Sequence, residues 1–425
     1  MFDRRRFAVF AAGFCSFLDM YPTQSLLPAL ATQFHAGKAA VGWTVSATTL
    51  GVAVTAPLAG WLAQRLGRKR VIVAGALLMA VPTLLAAHSG SVAELVIWRF
   101  LQGVALPAGF AVTNAHISEE WPAAEAADLI GIQMAGMVAG GFAGRTLAAL
   151  VAAALGWRWA FPLLTVLNLA GATALVLWLP ADSRPPARRP ARNGGGKAGA
   201  LLEPRLLATC AVGAALLFSM TASFTYVGFV LAAPPFGLGT GALGLVFVVF
   251  LLGLPTAAAT GALLRRFGRR RLMAAATLVN LGGLALTLGG SLPVVLAGLA
   301  MLAGGTFVAQ PLAIGFAGLV VPQARAVAVG LYVCSYYLGG SLGGVAPAAV
   351  WPAFGWPGVV ALVATIQMVA LGVAFRAWRP QAEGYFSTSC SAPARALMAS
   401  TRAALASSQA SNSATSSGCA ALETE

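Results

Sequence analysis

The sequence predicts an all-α polytopic membrane protein with twelve transmembrane helices in two six-helix halves. Hydrophobic residues make up 59% of the 425 residues and charged residues only 9%, whereas a soluble domain has about 25% charged residues. A surface so poor in charge must face lipid. A short basic motif also occurs twice, beginning at Gly60 and again at Gly261, which lies 201 residues later. This repeat indicates that one helical bundle is duplicated.

Continuous apolar runs account for the predicted helices. About twelve runs of roughly 20 residues are present, and each can cross about 30 Å of hydrocarbon as an α-helix. Membrane barrel strands are shorter and alternate in polarity. The predicted spans lie near residues 7–31, 41–64, 71–88, 92–116, 128–154, 159–179, 206–232, 241–264, 271–289, 293–320, 326–351 and 357–378. Kinks are predicted at Pro22, Pro107, Pro255 and Pro311.

The placement of basic residues indicates the orientation. The net charge is +15, and most of the 27 Lys and Arg residues lie on one side if the N-terminus is inside. Only Lys38 and Arg158 fall in loops on the other side. The positive-inside bias therefore predicts that both termini are cytoplasmic. The charge is a topology signal and predicts contact with the lipid bilayer, not with nucleic acid.

Composition also predicts the domain boundaries. The N-terminal half is expected at residues 1–180 and the C-terminal half at residues 205–380, joined by a cytoplasmic linker at 181–204. The linker is rich in Pro, Gly and Arg and has little to bury. Residues 381–425 are rich in Ala, Ser and Thr and are predicted to form a disordered cytoplasmic tail.

The two copies of the basic motif share the pattern Gly-x-Leu-x-x-Arg-x-Gly-Arg-(Lys/Arg)-Arg. The first copy runs from Gly60 through Gln64, Arg65, Gly67 and Arg68. Each copy lies between two long apolar runs, so the motif marks the same inner loop in both halves. We interpret it as an orientation marker and a gating element.

A second internal repeat supports the duplication. Gly140-Gly141-x-x-Gly144 matches Gly339-Gly340-x-x-Gly343, which lies 199 residues later. Both stretches fall in apolar runs, the fifth and the eleventh. Glycines at such spacing allow helix backbones to approach closely. Two independent pairs at nearly the same offset favour a six-plus-six arrangement.

These motifs resemble those of the major facilitator superfamily. The loop that begins at Gly60 is similar to the Gly-x-Leu-(Ala/Ser)-Asp-Arg-x-Gly-Arg-(Lys/Arg)-(Lys/Arg) motif of that family. Arg99-Phe-Leu-Gln-Gly103 resembles its Arg-x-x-x-Gly motif. Gly140 through Arg145, and Tyr21-Pro-Thr-Gln24, look like the bacterial YnfM-type branch, which is associated with efflux.

The resemblance covers about residues 1–380 and implies a mechanism. Two six-helix halves would surround a central cavity and rock to expose a midplane site to either side in turn. The family usually carries Asp where this sequence has Gln64. The closing latch of the cytoplasmic side is therefore expected to use Arg65 or Arg68 with Glu119 or Glu120.

Three charged residues at membrane depth are candidates for proton coupling, because such charges are costly and usually functional. They are Asp19, Arg99 and Arg145. Desolvation and a nearby arginine have opposite effects on the proton affinity of a carboxylate, so a change in spacing would couple proton binding to conformation. The alternatives are a structural ion pair that joins the helices and direct contact with substrate.

Polar residues in the apolar runs are candidates for substrate contact. Each is about as compatible with a hydrogen bond between helices as with a cavity lining. The candidates are Tyr21, Gln24, Asn114, Tyr226, Gln310 and Tyr336.

The functional prediction is a secondary active transporter, most simply a proton-coupled antiporter that exports small organic solutes and is driven by the proton gradient. It is expected in the bacterial inner membrane as a monomer without metal or other cofactor. The alternatives are an importer or facilitator with Asp19 as a structural charge, and a non-transporting receptor or scaffold. The sequence contains no nucleophile, phosphate-loop or metal-site motif, so it does not support an enzyme. The sparse charge favours neutral or amphipathic solutes.

Overall fold

The computed structural model describes residues 3–183 and 202–378. These residues form helices, turns and bends, and no β-strand is found among them. Residues 184–201 of the predicted linker and the whole predicted tail, 381–425, lie outside the described residues. The predictions for linker and tail therefore remain predictions. Below, residues 3–183 are called the N-terminal range and residues 202–378 the C-terminal range.

The described ranges are built from α-helices, with short 3₁₀ or π segments between some of them. In the N-terminal range the helices are α1 (Arg4–Leu18), α2 (Leu27–Gln33), α3 (Lys38–Leu66), α4 (Arg68–Ala86), α5 (Val92–Pro107), α6 (Thr113–Glu120), α7 (Ala123–Leu155) and α8 (Trp157–Trp178). In the C-terminal range they are α9 (Pro204–Ala232), α10 (Thr240–Leu245), α11 (Gly253–Phe267), α12 (Arg269–Leu286), α13 (Leu292–Val320), α14 (Arg325–Val345) and α15 (Pro347–Ala377).

Many of these helices are long and apolar enough to cross a membrane. Within the described residues nine helical stretches meet that standard, or up to ten when a bent pair in the C-terminal range is taken as one span. Large apolar side chains such as Leu78, Trp159 and Leu177 are more than half exposed. Such side chains are expected to face lipid rather than water. The chain is therefore a multi-pass membrane protein.

The first predicted span is not one continuous helix. α1 ends at Leu18, a 3₁₀ turn runs from Pro22 to Ser25, and α2 begins at Leu27. Pro22 lacks a backbone N–H and its ring obstructs the preceding turn, which favours a break in the α-helix there. All four residues of the turn are buried. The chain therefore places non-helical backbone inside the bundle.

Two other predicted spans are also irregular. The 3₁₀ segment Val246–Leu252 separates α10 from α11 and precedes Pro255. A π-helical turn at Ala108–Val112 follows Pro107 and separates α5 from α6. Pro311 lies inside α13 without interrupting it. Three of the four predicted kink sites thus coincide with a change of helix type.

The repeated basic motif forms the same tight turn twice. Gly67 joins α3 to α4 with φ 96°, and Gly268 joins α11 to α12 with φ 74°. Only glycine adopts such backbone angles without strain. The two glycines of each copy differ in role: the second one is favoured by its positive φ, whereas Gly60 and Gly261 have no positive φ and a Cβ atom there would meet no neighbouring helix.

The second glycine repeat forms two equivalent helix contacts. Gly140 and Gly144 place α7 against α1, and Gly339 and Gly343 place α14 against α9. A Cβ atom on any of the four would collide with the backbone of the facing helix. The backbone is approached at Phe14, Leu18, Ala214 and Phe218.

The two ends of the bundle differ. The turns at Gly67 and Gly268 lie at what we call the basic end, and the turn at Gly156 lies at the opposite end. In the described residues, the hydrogen bonds that join the two ranges all lie toward the opposite end. They are Ser46 Oγ to the Ser341 carbonyl at 2.5 Å, Gln24 Nε2 to Thr225 Oγ1 at 3.0 Å and Thr146 Oγ1 to the Gly244 carbonyl at 2.9 Å.

A cation–π contact also joins the two ranges at the opposite end. The Lys38 ammonium lies 5.1 Å from the ring centre of Trp351 and 5.3 Å from that of Phe229. Lys38 begins α3, whereas both rings belong to the C-terminal range. Hydrogen bonds, close helix contacts and this cation–π contact together close the opposite end of the bundle in this structure.

Candidate functional site

Asp19 lies at the break in the first span. It is the C-terminal cap of α1 and is fully buried. One carboxylate oxygen, Oδ2, accepts a hydrogen bond from Asn168 Nδ2 on α8. The other, Oδ1, has no hydrogen-bond partner. A buried carboxylate with one unpartnered oxygen is costly when ionised.

Arg99 binds the backbone of the same break. Its fully buried guanidinium donates to the carbonyl of Asp19 at 2.7 Å and to that of Met20 at 2.6 Å. It also donates to the carbonyl of Thr44 at 3.0 Å and to Gln102 Oε1 at 2.5 Å. The end of a helix leaves carbonyls without partners, and a cation there is favourable. Arg99 therefore stabilises the non-helical backbone after α1.

The ion pair that the sequence suggested as an alternative role is not formed in this structure. No carboxylate oxygen of Asp19 lies within 4.0 Å of a nitrogen of Arg99 or Arg145. Arg99 approaches Asp19 through its main-chain carbonyl, and the Asp19 side chain turns to Asn168 instead. The helices are joined here by backbone capping and an amide–carboxylate hydrogen bond.

Arg145 lies in a cage of aromatic rings. Its side chain on α7 is 4% exposed. Nε donates to Gln24 Oε1 at 2.8 Å, and Nη1 donates to the carbonyl of Gly141 at 2.6 Å. Three rings surround the guanidinium and give favourable cation–π contacts. The ring centres lie at 4.5 Å for Tyr21, 4.6 Å for Phe250 and 5.0 Å for Phe247.

Both broken spans contribute to this cage. Tyr21 and Gln24 come from the break in the first span, while Phe247 and Phe250 come from the 3₁₀ segment between α10 and α11. Gln24 also donates to Thr225 on α9, so it links Arg145 to the C-terminal range. A small cavity adjoins the cage and is lined by Gln24, Ser25, Phe224, Val227, Gly228, Leu231, Leu243, Val246 and Phe247.

The other predicted substrate contacts lie elsewhere. The Tyr226 hydroxyl donates to the carbonyl of Gly344 at 3.2 Å, which joins α9 to α14. Tyr336 packs its ring against those of its neighbours on α14. The Asn114 Oδ1 atom is buried without a partner on α6, and Gln310 is half-buried on α13. The structure brings Tyr21 and Gln24 into contact with Arg145, and none of these four residues contacts Arg145 among the described residues.

The predicted gating loop forms one ion pair. Arg68 Nη2 lies 2.5 Å from Glu119 Oε1. Arg65 instead lies 4.1 Å over the ring of Trp61. Gln64, at the position where the related family usually carries Asp, is exposed. The Arg68–Glu119 pair joins α4 to α6 within the N-terminal range.

Glu120 belongs to a separate cluster at the basic end. It accepts hydrogen bonds from the Ser183 backbone N–H at 3.1 and 3.2 Å. His116 is buried, and its Nδ1 lies 3.1 Å from Asp182 Oδ1. Ligand atoms of His116, Glu120 and Asp182 lie within 4.8 Å of one another, so these three residues could hold a metal ion. The sequence prediction of no metal site rests on short motifs, which do not detect residues that only the fold brings together.

Sequence reasoning missed several residues of the site. Asn168 was missed as the partner of Asp19, although it is a lone amide in the apolar run of α8. Phe247 and Phe250 were missed because phenylalanine is common in membrane helices and carries no polar signal. Thr225 was missed because nothing in the sequence separates it from the other threonines in the apolar runs. A search for amides in apolar runs would have found Asn168 but not the other three.

Comparisons with known proteins agree on one family. The family profile described as Major Facilitator Superfamily matches residues 9–254. The inner membrane transport protein YnfM of Escherichia coli K12 is 31% identical over 382 residues, covering 89% of this chain and 91% of YnfM. The uncharacterized MFS-type transporter YybF of Bacillus subtilis 168 is 28% identical over 373 residues, covering 87% and 92%. The solved structure of a mutant of the nucleoside transporter NupG has a similar fold, with a TM-score of 0.70 and 16% identity over 88% of this chain and 100% of NupG.

Proposed function

This chain belongs to the Major Facilitator Superfamily, and we propose that it is a proton-coupled antiporter that exports small organic solutes. Its relatives are membrane transporters and not enzymes. The observation that carries the proposal is the Asp19 carboxylate, which is buried at a helix break with one oxygen unpartnered and no arginine in ion-pair distance. Such a carboxylate is suited to carry a proton across the membrane.

The proposed mechanism is alternating access between two six-helix halves at residues 1–180 and 205–380. The repeated turns and the repeated glycine contacts support this twelve-helix arrangement. In the conformation described, the opposite end is closed by contacts between the two ranges. Separation of those contacts would expose the central site to that side. The proposed location is the bacterial inner membrane with both termini cytoplasmic, which the distribution of basic residues supports.

Asp19 would exchange its proton as the site changes sides. The Arg99 guanidinium fixes the backbone of the break, so the carboxylate keeps its position while the surrounding helices move. When the site faces outward, Asp19 takes up a proton; when it faces inward, Asp19 releases that proton. Solute leaves in the half-cycle that returns the site to the outside, so each solute exported is matched by a proton that enters. This exchange makes proton entry the driving force for export.

The second candidate function is an importer or facilitator in which Asp19 is structural. The hydrogen bond from Asn168 favours this candidate, because it ties α1 to α8 and would serve packing alone. The two functions differ in what a pH gradient does. An antiporter accumulates solute in vesicles that are acidic inside, a symporter does so in vesicles that are acidic outside, and a facilitator does neither.

Proteoliposomes that contain the full chain would test the proposal. A panel of small organic solutes would be offered to vesicles of either gradient, with Asp19→Asn as the variant and Asp128→Asn, an exposed carboxylate on α7, as its control. We expect accumulation only in acid-inside vesicles, its loss in Asp19→Asn, and retained solute counterflow in that variant. Full proton-driven accumulation by Asp19→Asn would contradict the proposal.

A further inference from the structure

We propose that Arg145 is the binding site for the carboxylate of an organic anion, and that the transported solute is a monovalent anion with an aromatic or other apolar body. This inference names the substrate class of the proposed transport function and rests on that function for its direction only. Binding itself can be tested without any gradient.

The charges at the centre of the bundle do not balance. Asp19, Arg99 and Arg145 are all buried there, so two cations accompany one carboxylate. Arg99 binds the helix break that ends at Asp19. Arg145, by contrast, has no carboxylate oxygen within 4.0 Å in the part of the chain that the structure describes. A buried charge is costly unless it is paired. A bound anion would supply the missing partner.

The guanidinium of Arg145 has one edge left for a ligand. Nε is engaged by Gln24 and Nη1 by Gly141, whereas Nη2 makes no hydrogen bond to any described residue. A guanidinium can stack on aromatic rings with its face while its N–H edge binds a carboxylate. Tyr21, Phe247 and Phe250 surround it. The Nη2 edge of the guanidinium is therefore free to bind a ligand among these three aromatic rings.

The residues around Arg145 suit a ligand with an apolar body. The adjoining cavity is lined by apolar side chains such as Phe224, Val227 and Leu231. A binding site of this kind has mostly apolar walls with few polar groups that fix the orientation of the ligand. The polar residues that line this small cavity are Gln24 and Ser25, and Arg145 lies next to it through its hydrogen bond to Gln24. A highly charged solute would lack partners for its further charges, so a single carboxylate is favoured.

The position that matches Arg145 in the other range carries no side chain. This counterpart in the glycine repeat is Gly344, 199 residues later. At that position α14 approaches α3 so closely that a Cβ atom would meet Ser46 Oγ. The matching contact of the other range therefore closes with no side chain at all. A buried, unpaired charge at residue 145 is costly, and the other range forms its matching contact without one, which favours a role in binding.

Binding of two matched probes to the purified full chain would test the inference. The probes are 1-naphthoate and its neutral amide, 1-naphthamide, measured by isothermal titration calorimetry at neutral pH. We expect wild type to bind the carboxylate more tightly than the amide. Arg145→Gln should weaken naphthoate binding by about 10- to 100-fold, the range for loss of a charged hydrogen bond, and weaken naphthamide binding much less. Arg145→Lys should lie between.

The control variant is Arg158→Gln. Arg158 also lies over an aromatic ring and also donates to a backbone carbonyl, but it is near the turn at Gly156. It should bind both probes as wild type does. Equal affinity of wild type for the two probes would overturn the inference, and so would equal weakening of both in Arg145→Gln. The first comparison needs no variant, so it remains decisive if Arg145→Gln does not fold.

Failure of the inference is distinguishable from failure of the proposed function. If naphthoate binds through Arg145 but no pH gradient drives its accumulation, the anion site stands and proton coupling is wrong. If a neutral solute is exported by Arg145→Gln as by wild type, with dependence on the gradient, proton coupling stands and the anion site is wrong. Absence of naphthoate binding to wild type in millimolar titrations would also count against the anion site.

Discussion

The two copies of the basic loop make the same backbone contact. In the N-terminal range, Lys69 Nζ donates to the carbonyl of Val176 at 3.1 Å. In the C-terminal range, Arg270 Nη2 donates to the carbonyl of Phe375 at 2.9 Å. Donor and acceptor recur about 200 residues later in both cases. The framework that fixes the loop against the last helix of each range is therefore shared.

The neighbouring arginines differ between the copies. Arg68 forms an ion pair with Glu119, whereas its counterpart Arg269 lies 5.1 Å over the ring of Phe316. A similar difference separates Arg145, in its aromatic cage, from Gly344, in a close helix contact. The glycine contacts between helices and the backbone contacts of the basic loop are therefore the same in both ranges. Ionic chemistry is concentrated in the N-terminal range.

The largest expected effect comes from substitution of Arg99, because this buried arginine donates to three backbone carbonyls. The described C-terminal range has no buried arginine or lysine that could match it. Arg99→Gln would leave the carbonyls of Asp19, Met20 and Thr44 without their donor, and each such loss costs about 1–3 kcal/mol. We expect a strong fall in the unfolding temperature of the purified protein and in the yield of monodisperse protein.

The control for this prediction is Arg158→Gln, since Arg158 donates to only one carbonyl, that of Ser89. Its unfolding temperature should stay near that of wild type. A similar small change in Arg99→Gln would show that the helix break does not depend on its arginine. The buried arginine of the N-terminal range would then add no more to the unfolding temperature than an arginine at the surface does.

A smaller effect is expected at the glycine contact of the C-terminal range. Gly344→Leu would force a side chain into the space where α14 meets α3, and overpacking costs about 1–3 kcal/mol. We expect a lower unfolding temperature and greater thiol labelling of an engineered Ser46→Cys, because the opposite end would open. Gly330→Leu on the same helix is the control, since no atom lies within 4 Å of its Cβ position. Equal results for both substitutions would refute the close contact.

The smallest effect is expected at the basic end. Glu119→Gln with Glu120→Gln removes the Arg68 ion pair and the carboxylate that accepts from Ser183. Exposed pairs contribute about 0–1 kcal/mol, so the unfolding temperature should change little. If the pair acts as a latch, solute transport and cysteine accessibility at the basic end should change nonetheless. Unchanged transport and accessibility would rule out a latch in this loop.

Several features of the site could be predicted from the sequence. Asp19, Arg99 and Arg145 stand out because each interrupts an apolar run, and the structure buries all three. Pro22 and Pro107 predicted irregular helices, since proline cannot donate to the helix, and both adjoin a change of helix type. The proton-coupling role of the charged residues stays a prediction that the transport assay addresses.

Other features could not be predicted, because they depend on which helix faces meet. Asp19 contacts Asn168, which lies 149 residues away, and Arg145 contacts Phe247, which lies about 100 residues away. Adjacent residues of a helix point about 100° apart. A small rotation of either helix would give different partners, and one chain without its fold does not specify that rotation.

That the chain enters a membrane, where its apolar runs lie and which loops repeat could be read from the sequence, because these depend on local hydrophobicity and on glycine backbone angles. The partners of the buried charges, by contrast, depend on the tertiary structure. It assigned Arg99 to backbone carbonyls, Asp19 to an amide and Arg145 to aromatic rings. The reason is physical: in a low-dielectric interior each polar group must find a partner, and packing determines which groups come within reach.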